Sequence, residues 1–327
     1  MHETSKRWVR FFTGFQGKQN VFVASTLTPL MTYMLFWVLF PIVWVVVLGF
    51  FRYKAGAKGG WFLGLGGENA FIGFENCRNM FRGVTLEGRT FRISLVNTLL
   101  FSFLVLPLNL VLTLPLAVAI ESFANRFLKT FFRFVYFLPA LTSSVGVALI
   151  WIYLYHPQRG LINLVLKIIG LPPQIWLSNP KVSFLGVPLA MWAIMVAYLW
   201  LDMGYNLVIF IAALQGIPPD FKEAAIVDGA SSWQVFWRIT LPLLQPTLMF
   251  VCVLTMISSF QVFDIFQVMT QTGNPQNQTR VLMLDLYLNA FRYQNMGFAS
   301  AEAMVLFVII LLITIIQLRV LRTRWEY

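Results

Sequence analysis

Pro218 to Pro246 reads P-P-D-F-K-E-A-A-I-V-D-G-A-S-S-W-Q-V-F-W-R-I-T-L-P-L-L-Q-P. This polar stretch interrupts two hydrophobic ones, Val187 to Leu214 and Leu243 to Val268, each long enough to cross a bilayer. Pro219 and Asp220 suit the first turn of a helix, and Glu223, Ala224 and Ala225 continue it with good helix formers. Gly229 predicts a break. Ser231 followed three residues later by Gln234 has the spacing of a capping box, which predicts a second helix from Ser232 to Thr240, stopped by Pro242. The expected unit is helix, glycine turn, helix, outside the membrane. Ala224 and Ala225 would leave a face that another surface can approach closely.

Outward from this stretch, the chain is too apolar for water. Apolar residues make up 58% of it and charged residues 11%, with a mean hydropathy of +0.73. The composition is that of an integral membrane protein, with no stretch charged enough for a soluble domain. The net charge of +11 is matched more simply by lipid headgroups than by nucleic acid, which is excluded as a partner. Thr26 to Phe51, Ser94 to Ile120 and Phe134 to Tyr155 have no charge at all, and Phe298 to Leu318 has only Glu302. With the two stretches beside the hairpin these make six spans, each helical because none alternates as a barrel strand would. The expected fold is all-α, with six transmembrane helices and the hairpin between spans four and five. Prolines inside the spans, at Pro29, Pro41, Pro107, Pro115 and Pro139, predict kinks and not breaks.

Between the spans, Arg52 to Arg92 is the longest loop and reads as a flexible glycine-rich one. Its Gly64-Leu65-Gly66-Gly67 run lacks a third correctly spaced glycine and the strand-helix context of a nucleotide fingerprint. Gly160 to Trp176 is too short to cross and fits a helix at the interface. Cys77 and Cys252 do not suggest a disulfide, and His2 and His156 are isolated, so neither pair suggests a metal site. The basic N-terminus leads into an apolar stretch without a cleavage pattern, as in a retained anchor. No G-x-x-x-x-G-K-[ST] loop occurs, so energy from ATP has to enter through another chain. No internal repeat is visible, against the paired halves usual in secondary transporters. Lys and Arg divide 12 to 12 between the two sides, so charge does not orient the chain.

Glu223-Ala224-Ala225, Gly229, Ile239 and Leu241-Pro242 spell E-A-A-x3-G-x9-I-x-L-P. The pattern resembles the cytoplasmic loop of the permease subunits of bacterial binding-protein-dependent ABC importers. Other stretches resemble the sugar-permease branch, of maltose and glycerol-phosphate type: Phe71-Ile72-Gly73-Phe74-Glu75-Asn76, Asn97-Thr98, Gly160-Leu161-Ile162-Asn163, Thr279 with Leu282, Tyr287, Ala290 and Phe291, and Gly297-Phe298-Ala299-Ser300-Ala301. The chain lacks room for the extra external domain of the larger maltose-type permeases. The resemblance implies a subunit of the bacterial inner membrane with both termini cytoplasmic. It divides the chain into an N-terminal segment 1–25, a permease domain 26–320 with its coupling loop at 215–242, and a tail 321–327. Its implied partners are a second, different permease, two ATP-binding subunits, an extracytoplasmic solute-binding protein and membrane lipid. The chain itself is expected to be non-catalytic and free of cofactor, with ATP and Mg bound by the ATPase. Glu223 would pair with a basic residue of that ATPase, Ala224 and Ala225 would pack closely, and Gly229 would turn the chain. Asp228 and Arg238 would be flanking contacts, or simply a solvated face.

A translocated solute needs polar groups inside the bundle. Tyr198, Asp202 and Tyr205 fall at i, i+4 and i+7 on one face of span four with Asn206 beside them, and span five offers Ser258, Ser259 and Gln261. These seven are the pathway candidates, with hydrogen bonding between helices as the alternative. The resemblance implies alternating access for a mono- or oligosaccharide. Glycerol phosphate, a polyamine or another small polar solute, or a stand-alone transporter or channel, are the other readings.

Overall fold

The structure is a computed structural model that describes residues 15–58, 60 and 63–321. His2, Lys6, Arg7, Arg10 and the tail from Arg322 to Tyr327 lie outside the described residues. Helix α1 (Phe15–Met34) passes through a π-turn at Leu35–Leu39 into α2 (Phe40–Gly49), forming the first span. After α3 (Glu75–Arg82), α4 (Leu86–Ser122) is the second span. Next come α5 (Arg126–Phe137), a 3-10 turn at Leu138–Leu141, α6 (Ser144–Leu154) and α7 (Leu161–Ile168). A two-residue β-hairpin, with Ser183 opposite Pro188 and Phe184 opposite Val187, precedes the fourth span, α8 (Leu189–Gln215). The interrupting stretch forms α9 (Pro219–Val227), then α10 (Ser232–Val235), a π-turn at Phe236–Thr240 and α11 (Leu241–Leu243). The chain closes with α12 (Gln245–Phe260), α13 (Asp264–Thr270), α14 (Leu282–Tyr287), a π-turn at Leu288–Arg292 and α15 (Met296–Val320).

Four helices are long and apolar enough to cross a bilayer, and two bent pairs bring the count to six, as the sequence predicts. Three details differ from expectation. The third span is not one rod: Arg126–Leu141 and Ser144–Leu154 meet at 100°, because Thr142 and Ser143 take extended backbone after the helix-limiting Pro139. The fifth span ends at Phe260, so Gln261 sits at a break and Asp264 at the first residue of the next helix, not inside the span. Pro242 does not stop the second hairpin helix, which runs on to Leu243 and then bends by 67° into α12. The physical reason recurs at Pro41. Phe40 and Leu241, each just before a proline, bond back five residues to the Leu35 and Phe236 carbonyls, and the widened turn makes room for the ring. Pro107 and Pro115 lie inside an unbroken α4, as kinks would allow.

The Arg52 to Arg92 loop is folded, which its glycine content concealed. Buried Asn69 donates to the Gly64 carbonyl at 2.8 Å and accepts from the Lys54 amide at 2.9 Å, and Phe51 bridges to Phe71. Asn76 donates to the carbonyls of Gly49 and Phe51 at 2.9 and 3.1 Å, closing the open end of the first span. Cys77 and Cys252 are both free, and burial pushes the Cys77 thiol up.

Two apolar clusters fill the bundle along α4 and α8. Phe101, Val105, Ile194 and Tyr198 belong to one; Leu114, Ala117, Leu207 and Phe210 belong to the other, nearer the hairpin. Between them the same helices carry Asn109 and Thr113, and Asp202 and Asn206. The third and fourth spans approach closely at Gly204, where a Cβ would stand 2.8 Å from both the Tyr136 carbonyl and the Ala140 side chain. Far from the hairpin, Arg280 holds Asp285 through Nε and Nη2 at 2.7 and 2.6 Å, and Asn289 donates to both oxygens of Glu302 at 3.1 and 3.2 Å. All four side chains are buried.

Candidate functional site

The polar residues between the apolar clusters form one network across three helices. Asn206 of α8 donates through Nδ2 toward Asn109 Oδ1 at 3.0 Å, Asp202 Oδ2 at 3.0 Å and Thr255 Oγ1 of α12 at 3.1 Å. Asn109 in turn donates to Asp202 Oδ2 at 2.8 Å, and Thr113 donates to Asn109 Oδ1 at 3.2 Å. Buried amides and hydroxyls are costly in hydrocarbon unless paired, and here each is paired, Thr113 within its own helix and the others across helices. Asn206 is thus an interhelical contact and does not reach open space.

Beside this network lies a cavity of about 440 Å³. Five of the seven pathway candidates line it: Tyr198, Asp202, Tyr205, Ser258 and Gln261. Tyr198 donates to Ser258 Oγ at 3.0 Å, joining spans four and five, and Tyr205 donates to the Ala140 carbonyl at 2.8 Å. Asn206 and Ser259 are absent from the lining; buried Ser259 donates to the Met256 carbonyl of its own helix at 2.9 Å. The fold adds residues that periodicity did not bring together. Asp264 opens α13 across the break after Phe260 and accepts from Ser144 Oγ at 2.8 Å, and both line the cavity with Phe263 and Met283. Asp264 was visible in the sequence, but the expected unbroken fifth span placed it inside a helix. Asn109 and Thr113 carried a readable signal, an i, i+4 polar pair within an apolar span.

The second feature is the hairpin. Helix α9 ends in a Schellman motif: the Ala230 amide bonds the Ala225 carbonyl at 2.9 Å and the Gly229 amide bonds the Ile226 carbonyl at 3.0 Å. Gly229 has φ +80°. The capping box is present in both directions, with the Gln234 amide on Ser231 Oγ and the Ser231 amide on Gln234 Oε1. Ala224 is exposed, whereas Ala225 faces inward, so only one of the two alanines lies on the open face. Glu223, Asp228 and Arg238 are exposed and make no ion pair among the described residues. Val227 is 87% exposed and Ile226 64%, an apolar surface outside the bundle that the motif did not single out. Trp233 and Trp237, 5.4 Å apart, stand where the second helix turns back toward the spans, the position of interfacial aromatic anchors.

Residues 109–325 match the family of the binding-protein-dependent transport system inner membrane component. The chain belongs to this family. It is a multi-pass ABC permease, a transport component, and its matched segment starts at Asn109 of the polar network and contains the whole hairpin. The arabinooligosaccharides transport system permease protein AraP of Bacillus subtilis is 32% identical over 314 residues, covering 95% of this chain and 91% of that one. The trehalose/maltose transport system permease protein MalF of Thermococcus litoralis is 33% identical over 260 residues, 79% and 82% of the two chains. A crystal structure of a bacterial ABC transporter involved in the import of the acidic polysaccharide alginate contains a chain of the same fold. It superimposes with a TM-score of 0.78 at 23% identity, covering 94% of this permease and 98% of that chain.

Several of the weaker resemblances of the sequence correspond to buried or half-buried polar groups that hold loops on the permease. Asn97 donates to the Asn277 and Arg280 carbonyls, and Thr98 accepts from the Leu282 amide at 2.7 Å. Asn163 donates to the carbonyls of Pro157 and Gln174 and accepts from the Trp176 indole. These side chains satisfy backbone that a helix or sheet does not. Their role is architectural: they fasten loop backbone to the bundle.

Proposed function

We propose that this permease carries a carbohydrate, a mono- or oligosaccharide, into the cell by alternating access, driven by a separate ATPase seated on the hairpin. The observation that carries the reading is the open face of α9: Glu223, with no ion-pair partner among the described residues, next to exposed Ala224, Ile226 and Val227. A free charge beside an exposed apolar surface suits a protein groove better than water. Gly229 turns the chain so that this helix stands out from the bundle, and Asp228 and Arg238 flank it. ATP and Mg would be bound by the partner ATPase and no cofactor by this chain. The hairpin, and with it both termini, would then lie in the cytoplasm. The remaining partners are a second permease, a second ATP-binding subunit and an extracytoplasmic solute-binding protein, with lipid around the spans.

The cavity suits a sugar because its lining alternates hydrogen-bonding groups with rings: Tyr198, Tyr205 and Phe263 beside Ser258, Gln261 and the two aspartates. The two relatives named above transport arabinooligosaccharides and trehalose or maltose, which supports the same class here. Uptake of a labelled oligosaccharide into proteoliposomes holding the complete importer should require ATP and should be lost in a Glu223→Ala, Gly229→Pro double variant that still inserts and assembles. Wild-type uptake by that variant would overturn the coupling role. Uptake by this chain alone, without any ATPase, would favour a stand-alone transporter.

A further inference from the structure

We infer that the cavity selects by charge, admitting neutral hydroxylated or cationic solutes and turning away anions such as uronate sugars and sugar phosphates. The inference rests on reading the cavity as the place where solute passes. Two carboxylates, Asp202 and Asp264, line it, and no Lys, Arg or His does so among the described residues. Neither aspartate makes an ion pair among the described residues. Each is held through Oδ2 only, Asp202 by Asn109 and Asn206 and Asp264 by Ser144. Among the described residues no donor reaches either Oδ1.

A carboxylate accepts and cannot donate, so its open oxygen calls for a hydroxyl, an amide or an ammonium. A sugar supplies hydroxyls, and an amino sugar adds a cation. An anion supplies no donor at its charged end and meets two like charges in a setting less screened than water. Asp264 also opens α13, where an acid stabilises its own helix, and that alone would explain it. Asp202 has no such explanation, because it lies mid-helix within the fourth span. The fold shared with an importer of an acidic polysaccharide does not carry that solute's charge over to this chain, since the lining here is acidic.

The test places a reporter thiol in the cavity. In the assembled importer in nanodiscs, with Cys77→Ser and Cys252→Ala removing the native thiols, Gln261→Cys is modified by two methanethiosulfonates. One reagent carries a trimethylammonium group and the other a sulfonate, and the two rates are divided by those on a small free thiol. The cationic reagent is expected to be preferred by about tenfold or more, the range over which a cleft of one sign concentrates counter-ions. Adding Asp202→Asn and Asp264→Asn should bring the preference to within about twofold of unity, while Asp202→Glu with Asp264→Glu should keep it. Ser258→Cys reports on the same cavity if the first variant does not assemble. Equal or faster reaction of the sulfonate, or a preference unchanged by the double amide, overturns the inference. Failure of both reagents to reach either cysteine overturns it too, because it removes the cavity from the solute path. Uptake of a neutral oligosaccharide by the same importer tests the carbohydrate reading separately: no sugar uptake beside an intact charge preference sinks that reading and leaves charge selection standing.

Discussion

Replacing Gly229 separates a conformational role from a steric one. A Cβ built at this position has no heavy atom within 4 Å, so space is not the constraint. The constraint is φ +80°, a left-handed conformation that costs an L-residue roughly 1–2 kcal/mol and asparagine less. The two Schellman bonds come from backbone groups that any non-proline residue also has, so only the dihedral should order the variants. If the hairpin must hold this turn to transmit force, 1–2 kcal/mol corresponds to a loss of about 5- to 30-fold for Gly229→Ala. Gly229→Asn should stay within a few fold of wild type, and Gly229→Val should be the worst because branching at Cβ disfavours positive φ further. The assay is ATP-driven uptake by the complete importer, with co-purification of the ATPase as the measure of docking. Asparagine no better than alanine, or alanine at the wild-type rate, would refute the reasoning.

Gly204→Ala should destabilise, because overpacking against the Tyr136 carbonyl and Ala140 costs about 1–3 kcal/mol and the helix-propensity gain returns at most about 1. A lower melting temperature of the detergent-solubilised importer is the readout, and a rise would contradict the close approach of spans three and four. Asn206→Leu removes the amide that links α4, α8 and α12, and should cost about 1–3 kcal/mol in the same assay, given the modest worth of each interhelical bond and the acceptors left unpaired. Arg280→Ala leaves Asp285 buried without its cation and should cost about 3–5 kcal/mol, seen as loss of assembled protein. Adding Asp285→Asn should restore much of that loss; no rescue would mean that Arg280 acts through packing alone.

What the sequence revealed and what it hid divide along physical lines. Local chemistry was legible: Ser231 and Gln234 do form the capping box, Gly229 does take positive φ, and Tyr198, Asp202 and Tyr205 do share a face. Each depends on residues a few positions apart. The bends were not legible, because hydropathy is blind to direction: Phe134 to Tyr155 scores as one apolar run although the chain turns by 100° within it. The same blindness placed Asp264 in a helix interior, whereas the break at Phe260 brings it to Ser144, 120 positions away in sequence. Ala225 departs from the expected open face for a different reason. Its carbonyl takes the Schellman bond from the Ala230 amide and its side chain is buried, a consequence of how the turn closes that helix spacing alone does not display.

The amide of Asn206 acts as a cross-brace. Its partners lie on three helices that cross the same layer, so sliding α4 against α8 by a turn would break two bonds at once, and sliding α12 would break the one to Thr255, in a medium with no water to replace them. Spans two, four and five are pinned in register at that depth. Ser144 and Asp264 stand instead at joints, the 100° elbow at Thr142–Ser143 and the gap between Phe260 and Asp264, so compliance in the cavity wall is expected there and not at Asp202. The carboxylate held in the pinned layer and the carboxylate at a joint line the same cavity.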